Sequence, residues 1–198
     1  MAKFEFPPSI LSRPVWGRLE ARSGKSHLMI ADAEGAEAIL DIATPELMEN
    51  THIIYIPKGA NHADKLRALA PAQFYEGPSY DASVQRIRRV LSGAHMGLQV
   101  YLTGTESLMG QAMRETSTAG IPHSAVQTEH RGSVARRMQC VHCKGITEDV
   151  ELDPFVCSHC GLNLFVRDHY SRRHAAYQGV CVDAEDHGNI PEPKGIYE

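Results

Sequence analysis

Two short hooks, Cys140-Val141-His142-Cys143 and Cys157-Ser158-His159-Cys160, restrict what the last third of this chain can fold into more than any other feature. Each CxxC hook turns two thiolates toward one ion within a tight turn. Two hooks complete a tetrahedron, the closed shell of a structural zinc site. Of the five cysteines only Cys181 lies outside the hooks. That usage fits a metal site in a reducing compartment rather than a disulfide framework. Cys140, Cys143, Cys157 and Cys160 are therefore the expected metal ligands, and the lobe is small enough that such a staple matters to its folding. Zinc is the expected ion. Iron is the alternative, as a single ion of the rubredoxin kind or an Fe–S cluster. Rubredoxin-type hooks favour Cys-Pro-x-Cys-Gly, and here only Cys160-Gly161 matches half of that pattern. With four sulfurs at hand, His142 and His159 read as outward-facing groups. Cys181, in the apolar context "QGVCVDAED", reads as a small buried hydrophobe.

The 198 residues carry a formal charge of −4. Residues 131–198 hold eight Lys/Arg against ten Asp/Glu, so the metal lobe lacks the basic face that a nucleic-acid partner requires. Arg172, Arg173 and His174, with Tyr170 and Tyr177, form a local patch that reads as a solvated helix face or a dock for an acidic partner. No run approaches the roughly 18 apolar residues of a membrane span, and the first residues lack a signal-peptide core. A soluble, cytoplasmic protein with no membrane or nucleic-acid partner is expected.

The chain before the hooks alternates. Residues 1–24 form an extended arm, because Pro7, Pro8 and Pro14 exclude a regular helix. The arm packs on its own domain or wraps a partner. Short β-branched or apolar runs at 27–31, 52–57, 72–77, 98–104 and 124–130 read as strands. Helical patterns at 34–43, 61–70, 79–94 and 107–120 lie between them, the clearest being "SYDASVQRIRRVLSGA", closed by Gly93. Such alternation predicts an α/β fold with a parallel sheet and helices on both faces. A boundary falls at the polar link "RGSVARR", 131–137, giving an arm (1–24), an α/β domain (25–130) and a zinc-ribbon-like four-cysteine metal lobe with a tail (131–198).

The α/β part, "SHLMIADAEGAEAIL" followed by "YLTGTESLMGQAMRETSTAGIPHSAVQTEH", resembles the Rossmann-like nucleotide-binding half of ferredoxin reductase-type flavoproteins. That resemblance implies a glycine-rich phosphate loop after the first strand and a Cys-Gly-Pro turn after a later one. The loop here reads Asp32-Ala33-Glu34-Gly35-Ala36-Glu37, and the turn reads Thr103-Gly104-Thr105. A phosphate site needs bare N–H groups at a helix N-terminus. Two unit charges about 5 Å apart repel by roughly 3 kcal/mol at an effective dielectric near 20. Several such contacts cancel much of the roughly 8 kcal/mol of micromolar binding. Asp32, Glu34 and Glu37 thus read as helix N-terminal acids in a fold that keeps no NAD(P). Flavin is expected to be absent too, since the family's flavin barrel, about one domain in size, has no counterpart in the residues before the first strand.

The pairing of this degenerate domain with "RRMQCVHC…FVCSHCGLNLFVRDHYSRRHAAYQGVCVDAED" resembles the small accessory subunit of the bacterial dimethylamine monooxygenase family. The resemblance implies a multicomponent, NAD(P)H- and O₂-dependent oxygenase that converts dimethylamine to methylamine and formaldehyde. A haem-containing oxygenase subunit and a flavin/iron–sulfur reductase subunit would be the partners. The sequence offers no nucleophile–base pair and no open metal site, so no catalytic or cofactor-binding residue is assigned, in keeping with an organising role; the alternatives are a rubredoxin-like iron electron carrier of the same oxygenase and a zinc-ribbon adaptor unrelated to amine oxidation.

Overall fold

The computed structural model describes residues 12–186 and 188–196, and they divide into two compact units. One runs from Trp16 to Ser133. The other joins the described residues from Val134 onward with residues 12–15.

In the first unit, β1 (Ser26–Asp32), β2 (Thr51–Ile56), β3 (Gln73–Glu76), β4 (Leu98–Gly104) and β5 (Val126–His130) form one parallel sheet in the order β3-β2-β1-β4-β5. Between them run α1 (Gly35–Ile42), α2 (Pro45–Met48), α3 (Ala63–Ala68), α4 (Tyr80–Ser92) and α5 (Glu106–Thr118). The central strands are buried on both faces, as in a sheet covered by helices on each side. Alternate residues feed two cores, because successive side chains on a strand point to opposite faces. Met29, Ala31, Ile53 and Tyr55 meet Ala36 and Ile39 of α1, Leu47 and Met48 of α2 and Leu66 of α3. Leu28, Ile30, Ile54, Val100 and Leu102 meet Ile87 and Leu91 of α4 and Leu108, Met109 and Ala112 of α5. The result is a three-layer α/β/α fold of the Rossmann-like kind.

The helices begin where their caps dictate. Ser79 accepts from the N–H of Ala82, and Thr105 from that of Leu108, satisfying donors that a first turn leaves orphaned. Helix α2, which apolar periodicity does not reveal, is four residues long. It exists because Thr44 caps it and Pro45 fills its first position.

The arm after Trp16 packs on its own domain, beside β5. The Gly17 N–H donates to the Thr128 carbonyl, the Leu19 N–H to the Glu129 carboxylate, and the Glu20 N–H to Gln127 Oε1. Leu19 is buried in the helix-α1 core, and Trp16 packs against the other core with its indole N–H on Glu106. Residues 1–11 of the expected arm lie outside the described residues.

The second unit is mainly β. A five-stranded sheet has the order β7-β6-β11-β10-β9, from β6 (Arg136–Cys140), β7 (Ile146–Val150), β9 (Phe155–Val156), β10 (Asn163–Ser171) and β11 (Ala176–Cys181). A small ladder pairs β8 (Leu152–Asp153) with β12 (Lys194–Gly195). Its core gathers Met138, Val150, Phe155, Leu164 and Tyr177 with Cys140 and Cys157. Arg136 and Arg137, in the stretch read as a polar link, belong to β6. Arg136 is 1% exposed, lies over the Tyr177 ring at 4.3 Å and pairs with Asp168 at 2.8 Å. Arg13 closes on the same carboxylate. The stretch "DHYSRRHAAY" is the β10–β11 hairpin, not a helix.

Candidate functional site

The four expected ligands come together. Cys140 ends β6, Cys143 follows it, Cys157 follows β9, and Cys160 precedes β10. Their sulfurs all lie within 4.8 Å of one another. The Cys140–Cys160 and Cys143–Cys157 pairs are 3.8 and 3.7 Å apart. A regular tetrahedron with edges of that length has its centre about 2.3 Å from each sulfur, a normal metal–thiolate distance.

The two hooks have the same backbone. In the first, the Lys144 N–H returns to the Cys140 carbonyl and the Cys140 N–H donates to Gly145. In the second, the Gly161 N–H returns to Cys157 and the Cys157 N–H donates to Leu162. Each turn needs a left-handed residue after its second cysteine, and Lys144 (φ 64°) and Gly161 (φ 74°) supply it. Glycine takes that conformation without strain, while lysine adopts it at some cost. The geometry also directs N–H groups at sulfur, as from Gly145 to Cys143 Sγ at 3.4 Å.

Electrostatics distinguish the thiols. Burial alone would push Cys157 up, but the N–H groups of Cys160 and His159 outweigh it and bring the thiol down to about 6. At Cys160 the Leu162 N–H favours the thiolate, yet burial and the neighbouring sulfurs prevail and push it up to about 12. Four thiolates this close ionise together only around a cation, which inverts the local preference. The donor set therefore fits one soft or borderline metal ion in a closed shell. Neither histidine joins it. His159 Nε2 meets the Ile146 carbonyl at 2.8 Å, its ring lying against Gly145, and His142 is exposed. Cys181 is half-buried rather than sunk in the core, and its thiol donates to Asp183 at 3.2 Å.

The patch around Arg172 is smaller than the sequence suggests. Arg172 and Arg173 are exposed on the hairpin turn, but Tyr177 is buried under Arg136, with Tyr170 edge-on to it at 5.0 Å. The tyrosines are core groups.

The crevice where a doubly wound sheet takes a ligand lies at the carboxyl ends of β1 and β4, where the strand order reverses. Asp32 fills it from inside. It is the last residue of β1 and fully buried, and it does not act as an exposed acid on α1. Its carboxylate accepts from the Thr105 N–H at 2.7 Å and hydroxyl at 2.6 Å, with Lys58 Nζ at 3.4 Å. Burial raises its pKa against the pull of those partners. A carboxylate of the chain itself thus holds the N-terminus of α5. Of the three acids only Glu37 sits in the first turn of α1, with Arg131 at 3.9 Å. Gly35 seals the other side: a Cβ there would lie 2.5 Å from the Thr103 carbonyl oxygen. The Asp32–Thr105 link spans 73 residues, so no local sequence signal reports it.

The comparisons with known proteins agree with both halves. Residues 8–126 match the family described as dimethylamine monooxygenase subunit DmmA-like, N-terminal domain, and residues 137–180 match its C-terminal domain. A curated relative, the heme-dependent oxidative N-demethylase delta subunit of Ectopseudomonas mendocina (strain ymp), is 32% identical over 95 residues. The match takes in 48% of this chain, and the chain spans about half, 54%, of that relative's length. Two solved structures are similar at low scores. A flavohemoglobin from Malassezia yamatoensis with bound FAD and heme gives a TM-score of 0.38 at 17% identity, over 55% of this chain and 32% of that one. An intact type IV self-sufficient cytochrome P450 monooxygenase gives 0.41 at 15% identity, over 87% and 21%. Neither score carries an argument. The domain matches, one on the α/β unit and one on the unit that holds the cysteine tetrad, make this chain a member of the dimethylamine monooxygenase subunit DmmA-like family.

Proposed function

We propose that the chain is a non-catalytic, organising subunit of a multicomponent dimethylamine monooxygenase working in the cytoplasm. The overall reaction would take dimethylamine, O₂, NAD(P)H and a proton to methylamine, formaldehyde, NAD(P)⁺ and water. A haem-containing oxygenase subunit and a flavin/iron–sulfur reductase subunit would be its partners. The observation that carries the reading is the Asp32 carboxylate inside the switch-point crevice of a chain whose family names it a monooxygenase subunit. A nucleotide-type fold so closed is useful chiefly as a shaped surface. A closed metal site makes a second rigid surface from few residues. No helix among the described residues is long and apolar enough to cross a membrane.

Zinc is the proposed ion, and a closed four-sulfur shell supplies structure rather than substrate chemistry. A second reading keeps the same tetrad but fills it with iron, making the chain an electron carrier within the same oxygenase. The N–H on Cys143 Sγ and the Cys160-Gly161 pair favour it. The close approach of all four sulfurs favours a single ion over a two-iron cluster, whose thiolates divide between two metals.

The test is reconstitution of the haem and reductase subunits with and without this chain, and with the exposed pair changed, Arg172→Glu with Arg173→Glu. Assembly and coupled amine oxidation should fall in the double variant, while metal content and folding stay at the wild-type level. Normal assembly and turnover without the chain would refute the organising role. Stoichiometric iron with a redox-sensitive absorption band would favour the second reading.

A further inference from the structure

The opposite end of the parallel sheet opens into a cavity of about 700 Å³. It lies under the first residues of β1, β2 and β4 and is walled by the last turns of α4. Its titratable lining is His27, Glu49, His52, Arg86, Arg89 and His95. Five of the six are cationic or become so on protonation. Glu49 is the single carboxylate of the lining, and among the described residues it pairs with neither arginine.

Helix α4 carries three arginines on two faces. Arg88 turns to α5 and grips Glu115 with two hydrogen bonds of 2.7 and 3.1 Å. Arg86 and Arg89, three residues apart, line the cavity without a carboxylate partner among the described residues. Like charges at that spacing repel. The last-turn position of Arg89 suits the helix dipole, but Arg86 lies a turn earlier and is held in place by other means. Its guanidinium lies over the Tyr75 ring at 4.7 Å, and its Nε donates to His52 Nε2 at 3.3 Å. With Nε engaged and one face stacked, the terminal nitrogens keep the fork that suits carboxylate and phosphate oxygens. His52, whose ring stays neutral through burial and the adjacent Arg86 charge, serves as the acceptor that orients the fork.

We infer that this cavity binds a small oxyanion of the carboxylate or phosphate class, with Arg86 and Arg89 as its ligands. An anion seated there removes the repulsion within α4 and occupies an oriented guanidinium. Its lining shares no residue with the Asp32 crevice or with the cysteine tetrad.

Calorimetric titration of the full chain with inorganic phosphate and, separately, with malonate, at constant ionic strength, tests it. At least one anion should bind saturably, in about the millimolar range or tighter, and shift the His52 ring resonances with the same midpoint. Arg86→Gln should weaken binding about tenfold, the loss of one charge-assisted contact. Arg89→Gln should weaken it several-fold. The exposed Lys65→Gln should bind as the wild type does. Because Arg86 also packs on Tyr75, Arg89→Gln serves as the decisive variant if Arg86→Gln melts early. Binding of phosphate alone or malonate alone supports the site and selects its ligand class. No saturable binding of either anion, unchanged affinity in both arginine variants, or equal weakening in Lys65→Gln would overturn the inference.

Discussion

Changing Cys157 to serine tests the proposed metal centre at one of its two buried thiols. Cys157 is 2% exposed and belongs both to the tetrad and to the small core with Phe155 and Leu164. A structural zinc site contributes about 10–16 kcal/mol of folding free energy at pH 7. One ligand in four then accounts for roughly 2.5–4 kcal/mol, before any cooperative loss of the ion. Serine also places a hydroxyl among sulfurs and apolar groups, at a cost of about 1–3 kcal/mol if it finds no partner. The total, roughly 3.5–7 kcal/mol, rivals the whole stability of many small domains. Metal content should fall from one ion per chain to near zero. Hydrogen exchange should lose its protection in β6, β10 and β11 while β1, β2 and β4 keep theirs, since the two units have separate cores. Cys181→Ser, which alters a thiol outside the tetrad, should leave the metal in place. Elemental analysis and exchange mass spectrometry on the same sample read both effects. A Cys157→Ser chain that retains stoichiometric metal and full protection would refute the assignment of Cys157 as a ligand.

Two further outcomes follow from the first unit. Gly35→Ala would press a methyl against the Thr103 carbonyl at 2.5 Å, a backbone atom with no freedom to retreat, so urea denaturation should show a loss of about 1–3 kcal/mol. His52 titrates in the fold at about 4, below its ordinary 6.5, through burial and the Arg86 charge. A depressed value means that the unfolded chain takes up the proton first. The stability contributed by neutral His52 is therefore complete above pH 6.5 and is lost as pH falls toward 4. Denaturation of His52→Gln across that window should show a flatter pH dependence than the wild type. It should not be fully flat, because burial lowers His27 in the same direction.

What the sequence discloses is what repeats locally. The strands of the α/β unit are each bounded by turn residues, and α4 shows its apolar stripe through Ile87 and Leu91, so both are legible from spacing. So are the four cysteines, because each hook encodes its own turn. What the sequence hides is long-range. Asp32 looks like one of three acids at a helix start, yet its partner Thr105 lies on another crossover and draws it into the interior. Arg136 looks like part of a basic linker, yet Asp168 and the Tyr177 ring compensate its burial. That same contact removes Tyr177 from the surface patch that composition suggested. Helix α2 is too short to show a period, and its Thr44-Pro45 start is the only trace it leaves.

The arm beside β5 has a consequence for association. β5 is an outer strand, and an outer strand with free N–H and carbonyl groups is a template for strand addition, hence for fibre growth or domain exchange. Here Gln127 and Glu129 reach out from that strand and hold the arm by side-chain amide and carboxylate, with the Gly17–Thr128 bond as the backbone link. The arm caps the ladder without prolonging it, so a second copy arriving there meets an irregular segment instead of a strand. Copies of this chain then have one way less to polymerise through that edge.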